Sequence, residues 1–122
     1  MDLARLENAL QQLPVDTLLT EIPEIQNSIK HLLKSNNEMR EYDPERKDQD
    51  LIEAVEENIE LMRRHEIRID VTLRVIKERI GEAAFFEVKS NVDAFRKEYP
   101  TGITKAKIKE EENKAAEEGV FL

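Results

Sequence analysis

The stretch IEAVEENIELMRRHEIRIDVTLRVIKERI, residues 52–80, decides the fold. Taken every third or fourth residue it gives Ile52, Val55, Ile59, Met62, Glu66, Ile69, Leu73, Ile76 and Ile80. This is a heptad a/d seam sustained for four repeats, broken only at Glu66. Glu53, Glu56, Glu57, Arg63, Arg64, Arg68, Arg74, Lys77, Glu78 and Arg79 lie between the seam positions, and no Gly or Pro interrupts the run. A helix of this kind, about 45 Å long, has to lay its seam against another helix to be stable in water. Glu66 is costly at such a position if dry. The favoured reading is that its side chain snorkels to solvent; the other is a basic residue on a partner.

Upstream lies the matching seam: Leu18, Ile22, Ile25, Ile29, Leu32, Asn36 and Met39. Asp16 or Thr17 is the expected helix cap. Pro23 falls inside the pattern and donates no N–H, so a regular helix is expected only from about Pro23 to Tyr42. Asp43-Pro44-Glu45-Arg46-Lys47 breaks the run, and Asp48 can cap the next helix. A connection this short makes the two helices antiparallel neighbours. With Met39 facing Ile52, residue numbers in each facing layer sum to 91, which sets Asn36 against Val55 and Ile25 against Glu66. Asn36, at an a-type position, either fixes register or stays hydrated near the turn.

A second stripe, Ile67, Val71 and Val75, lies on the back of the long helix, and the back between Ile52 and Arg64 has no equivalent. The turn end should therefore be a bare two-helix rod and the base a covered one. The cover could be the amphipathic Leu3-Leu6-Leu10-Leu13 segment, the segment after Gly81, or a second copy of the chain. The first of these is capped by Asp2 and ended by Pro14. After Gly81 a new phase, Phe85, Val88, Val92, Phe95 and Tyr99, reads as a further helix ending at Pro100. The division expected is a short helix over 1–14, a hairpin over 15–81 turning near 43–47, a helix over 82–100 and a charged tail over 101–122. The fold class is all-α, an antiparallel helical hairpin of coiled-coil type with short flanking helices and a flexible tail. The tail reads as disordered, and its apolar end, Val120-Phe121-Leu122, reads more readily as a frayed terminus than as a docking tag.

Composition narrows the function. Of 122 residues, 38% are charged and 5% aromatic, with a formal net charge of −8, two His and no Cys. The negative charge disfavours nucleic acid as a partner. The absence of Cys excludes disulfides and Cys-based zinc sites. No apolar run is long enough for a membrane span, and the N-terminal residues do not resemble a signal peptide. His31 and His65 flank the seam with no metal-ligand spacing, and there is no phosphate-binding Gly-rich loop. The acidic residues fit solvated faces with i,i+4 partners such as Glu60–Arg64. The expectation is a non-enzymatic protein of the cytoplasm and nucleus, with no cofactor and no bound metal.

Residues 24–36, with Glu24-Ile25, Asn27-Ser28-Ile29, His31-Leu32 and Ser35-Asn36, resemble the first helix of the fungal ATPase-dedicated chaperone of proteasome assembly, a translation-machinery-associated protein family. A looser likeness runs through Asp50-Leu51, Val55 and Glu57-Asn58-Ile59, and the resemblance covers roughly residues 13–80. The turn at Asp43–Lys47 is shorter than that family suggests, and Phe85–Tyr99 has no counterpart in it. The resemblance implies a stress-responsive chaperone, a homodimer, that binds the N-terminal coiled-coil region of a proteasomal ATPase subunit and promotes its pairing with a neighbour. It also implies partner contacts at Asn27, Ser28, His31, Ser35 and Asn36. The alternative is a structural coiled-coil subunit of another complex.

Overall fold

The computed structural model describes residues 2–103. They form four α-helices: α1 (Leu3–Gln11), α2 (Val15–Tyr42), α3 (Gln49–Arg79) and α4 (Glu82–Glu98). α3 is the hub, and α1, α2 and α4 all pack on it. The architecture is an antiparallel hairpin, α2 on α3, with α1 and α4 laid against it. The tail from 104 onward lies outside the described residues.

Helix ends follow local chemistry, with two departures from expectation. The Asp2 carboxylate caps α1 by accepting the Arg5 N–H at 3.1 Å. Asp48 caps α3 by accepting the N–H groups of Asp50 and Leu51. α2, however, begins directly behind Pro14, with no side-chain cap, so Asp16 and Thr17 already lie in its first turn. The Pro14 carbonyl accepts the Leu18 N–H at 2.9 Å, and the negative charge of Asp16 suits the helix N-terminus. Nor does Pro23 delay the helix, which is continuous from Val15. An interior proline costs about 3 kcal/mol; here its ring faces solvent while Leu18, Ile22 and Ile25 on the opposite side are buried. Burial of that seam outweighs the missing hydrogen bond.

Asp43 organises the turn. Its carboxylate accepts the Lys47 N–H at 3.0 Å and the Asp48 N–H at 2.9 Å, while Arg46 takes the left-handed conformation at φ 55°. Two cross-hairpin pairs, Asn36–Asn58 and Glu21–Arg68, straddle the register expected from the seams.

Burial runs in a gradient along the hairpin. Leu18, Ile22, Ile25 and Ile29 of α2 and Met62, Ile69, Leu73 and Ile76 of α3 are buried. Leu32, Met39, Ile52 and Val55, nearer the turn, are only half-buried, and Ile59 is 38% exposed. At the base the back stripe Ile67, Val71 and Val75 is fully buried within a single chain. Its cover is both flanking helices, so no second copy is needed there. Leu3 and Leu10 of α1 are buried, and Arg79 donates to the carbonyls of Leu10 (3.1 Å) and Leu13 (2.7 Å), pinning the end of α1 to the end of α3. α4 runs back along α3, with Phe85 under Lys77 and Arg96 beside Glu66.

Glu66 corrects the solvated reading. It is 3% exposed, and Arg96 Nε donates to its carboxylate at 2.6 Å. The same guanidinium reaches Asp70 at 3.1 Å and the Glu66 carbonyl at 3.3 Å. A two-helix seam has no place for this carboxylate, but the third helix brings a base to it. Burial raises the Glu66 pKa, the Arg96 charge and hydrogen bond pull it back only in part, and the Asp70 charge adds to the rise. The pair therefore locates α4 more than it stabilises the fold.

Between α3 and α4, Gly81 sits at φ 121°, ψ 177°, a region open essentially to glycine alone. A Cβ there would meet no atom within 4 Å, so the cost of any side chain is purely torsional.

Gly81→Ala is expected to lower unfolding stability by about 1–3 kcal/mol in urea denaturation; no loss would mean the hinge relaxes. Arg96→Met, which strands a buried carboxylate, should cost about 3–5 kcal/mol, whereas Glu66→Met with Arg96→Met should cost far less. In the Arg96→Met protein the Glu66 pKa rises further, so the folded state holds the proton more tightly than the unfolded one. Its stability should then fall as pH climbs from the ordinary carboxylate range, and the double variant should lose that slope.

Candidate partner-binding surface

α2 presents its polar residues by helical geometry. At 100° per residue, Ser28, His31 and Ser35 share one flank of the seam, Asn27 lies farther toward solvent, and Asn36 turns inward. Asn27 and His31 are exposed, and Ser28 and Ser35 are half-buried. Asn36 is 1% exposed. An a-type residue faces α3, so this side chain lies between the two helices of the hairpin, whereas the other four lie outside the seam.

Asn58 of α3 ties the flank together. Its amide nitrogen donates to Asn36 Oδ1 at 2.9 Å and to Ser35 Oγ at 3.4 Å. The Asn36 amide nitrogen, also buried, has no hydrogen-bond partner. Toward the base the same flank closes with Arg68 and Glu21, paired at 2.8 Å. His65, also on α3, is half-buried, and burial, helped by the Arg68 charge, lowers its pKa, so it is neutral at physiological pH. The other flank of the hairpin belongs to α4, where Lys30 stands 4.9 Å over the Tyr99 ring and 5.9 Å over Phe95.

The back of α3 near the turn is charged. Glu53, Glu56, Glu57, Glu60, Leu61 and Arg64 line a shallow depression with Leu61 40% exposed. Glu60 hydrogen-bonds to Arg63 and also lies near Arg64, and these bases hold its carboxyl below the usual range against a smaller effect of burial. Among the described residues no group of three His, Asp or Glu side chains is placed to hold a metal ion, and no helix is long and apolar enough to cross a membrane. The surface carries polar side chains on one flank and charges on the back.

The pairing of Asn58 with Asn36 and that of Arg96 with Glu66 escape a reading of the sequence alone. Asn58 lies one turn from the layer assigned to Asn36, so the antiparallel register was a usable signal. Arg96 had none, because nothing in its own helix marks it as a partner for a residue thirty positions earlier.

The orphaned amide gives a test. Asn36→Leu should raise stability by about 1 kcal/mol in urea, because it removes a buried unpaired donor while Asn58 turns to water and Ser35. Sedimentation of the same variant should show a broader range of assemblies if Asn36 enforces a single helix pairing.

Comparison with protein families matches residues 2–82 to the TMA17 helical domain. Comparisons with curated proteins and with solved structures gave no match. The matched span takes in α1, α2 and α3 and stops at the first residue of α4. The family and the all-helical architecture together point to a non-catalytic protein. With well over half of its length matched, this chain belongs to the TMA17 family, the ATPase-dedicated chaperones of proteasome assembly.

Proposed function

We propose that the protein is an assembly chaperone for the base of the 26S proteasome regulatory particle. It binds the N-terminal coiled-coil region of one ATPase subunit and promotes that subunit's pairing with a neighbour. The observation that carries this reading is the family match over residues 2–82, the span that contains the whole hairpin. The docking surface is the flank formed by Asn27, Ser28, His31 and Ser35, with Asn36 setting the pairing of α2 and α3 from beneath it. A coiled-coil partner suits a rod: a long helix can lie along α2 and exchange hydrogen bonds with those side chains while the buried seam stays closed. The site of action is the cytoplasm and nucleus. If two chaperone chains associate, they use the turn-end half, because α1 and α4 already cover Ile67, Val71 and Val75.

Affinity capture of the tagged chain from gently lysed, stressed cells should recover proteasomal ATPase subunits without the mature core particle. Recovery of another complex in their place would make the chain a structural subunit of that complex. With a recombinant ATPase coiled coil, His31→Ala combined with Ser35→Ala should leave helicity unchanged and weaken binding about tenfold, a loss near 1.4 kcal/mol. Unchanged binding would move the site off this flank. Ile29→Glu, which buries a charge at a fully enclosed position, should abolish the fold in circular dichroism.

A further inference from the structure

The groove that α4 fills at the base of the hairpin continues, unfilled, to the turn. On α3 the positions Ile52, Glu56, Ile59, Arg63, Glu66 and Asp70 follow one another at spacings of three and four, so they share one stripe. Its base end, Glu66 and Asp70, holds Arg96 of α4. Its turn end, Ile52, Glu56 and Ile59, lines a cleft of about 520 Å³ with an apolar floor completed by Met39, Leu51 and Val55. α2 repeats the pattern: Lys30, which sits over the α4 rings, and Leu33, packed on the core, are followed on the same side by Arg40 at the cleft wall. One interhelical groove therefore has an occupied half and an open half. It lies on the flank opposite Ser28, His31 and Ser35.

The chain is aimed at the open half. α4 starts beside the end of α3, where Lys77 covers Phe85, and finishes level with Lys30 and Glu66, so it leaves the base travelling toward the turn. Ile103, the last described residue, still packs against the core. From the level of Lys30 to that of Arg40 is ten helical residues, about 15 Å. Residues 104–119 number sixteen and reach about 24 Å as a helix and about 50 Å extended, so the apolar run Val120-Phe121-Leu122 can enter the cleft in either form. The cleft wall carries Arg40 and Arg46 beside Asp43 and Glu56, with Arg46 paired to Glu56 at 3.9 Å, so Arg40 is the wall charge placed to meet the acidic neighbours Glu117 and Glu118. Three apolar residues bind such a surface poorly from solution, but a short tether holds them at a high effective concentration.

We propose that Val120-Phe121-Leu122 docks in this cleft within the same chain, as the occupant of the open half of the groove. The apolar end that reads in sequence as a frayed terminus thus acquires a seat. The proposal does not depend on the identity of the chaperone's partner.

The protein contains no tryptophan, so a full-length Phe121→Trp variant carries a single reporter. Its emission should be blue-shifted, and acrylamide quenching several-fold weaker than for free indole, at every protein concentration across a hundred-fold dilution. Adding Val120→Asp and Leu122→Asp should restore the emission of a solvated indole. Ile59→Asp or Met39→Asp should do the same, with circular dichroism confirming that the helices persist, and His31→Asp on the opposite flank should change nothing. A solvated reporter in the Phe121→Trp protein overturns the proposal. So does a blue shift lost on dilution, which would identify a second copy as the occupant, or one indifferent to the cleft variants, which would place the run elsewhere.

Discussion

The C-terminal half of α3 is apolar on two faces, and everything else in the fold follows from that. Ile69, Leu73 and Ile76 face α2, and Ile67, Val71 and Val75 face away from it, all of them buried. A helix apolar around most of its circumference cannot remain half of a two-helix rod in water; it must be enclosed. α1 and α4 exist to enclose it, one held by the Arg79 contacts to the Leu10 and Leu13 carbonyls, the other by Arg96. Where the second apolar face stops, near Arg64, the enclosure stops too.

Much of this was legible in residue spacing. The two heptad seams, the five-residue break and the capping Asp48 fixed the hairpin, and Asp2 the start of α1, because each is a local signal with a local consequence. The asymmetry between base and turn end was legible as well, since a stripe of three β-branched residues at intervals of four has no reason to exist on a solvated face. What lay beyond reach was relational. Glu66 looked like a side chain in need of water because its base sits on a helix that the seam arithmetic does not include. Pro23 looked like a late start for α2 because propensity is local, whereas the burial that overrides it comes from α3. On α2 the sequence grouped five polar residues by likeness to a family, and helical geometry separates Asn36 from the other four.

The family domain and the brace are different layers of the molecule. The TMA17 helical domain ends where α4 begins, so the helix that supplies Arg96 and covers one flank lies outside the matched span. Glu66 lies within it. A carboxylate at that place asks for a base, and in this chain the base comes from α4. Polar pairing of this kind contributes little net stability, but it rejects wrong placements of the helix, since any shift by a turn would leave a buried charge alone. The strict geometry at Gly81 has the same effect, fixing the direction in which α4 departs.

The gradient of burial along the hairpin is also a gradient in how the molecule comes apart. Backbone amides near Ile69 and Ile76 are released only when the whole helical assembly opens, whereas those near Ile52 and Ile59 need lose only a few half-buried contacts. The turn end is therefore the part of the hairpin expected to open at less than the global cost. Opening at the turn end would leave the four-helix base intact, so the two ends of one hairpin should exchange their amide hydrogens on separate schedules.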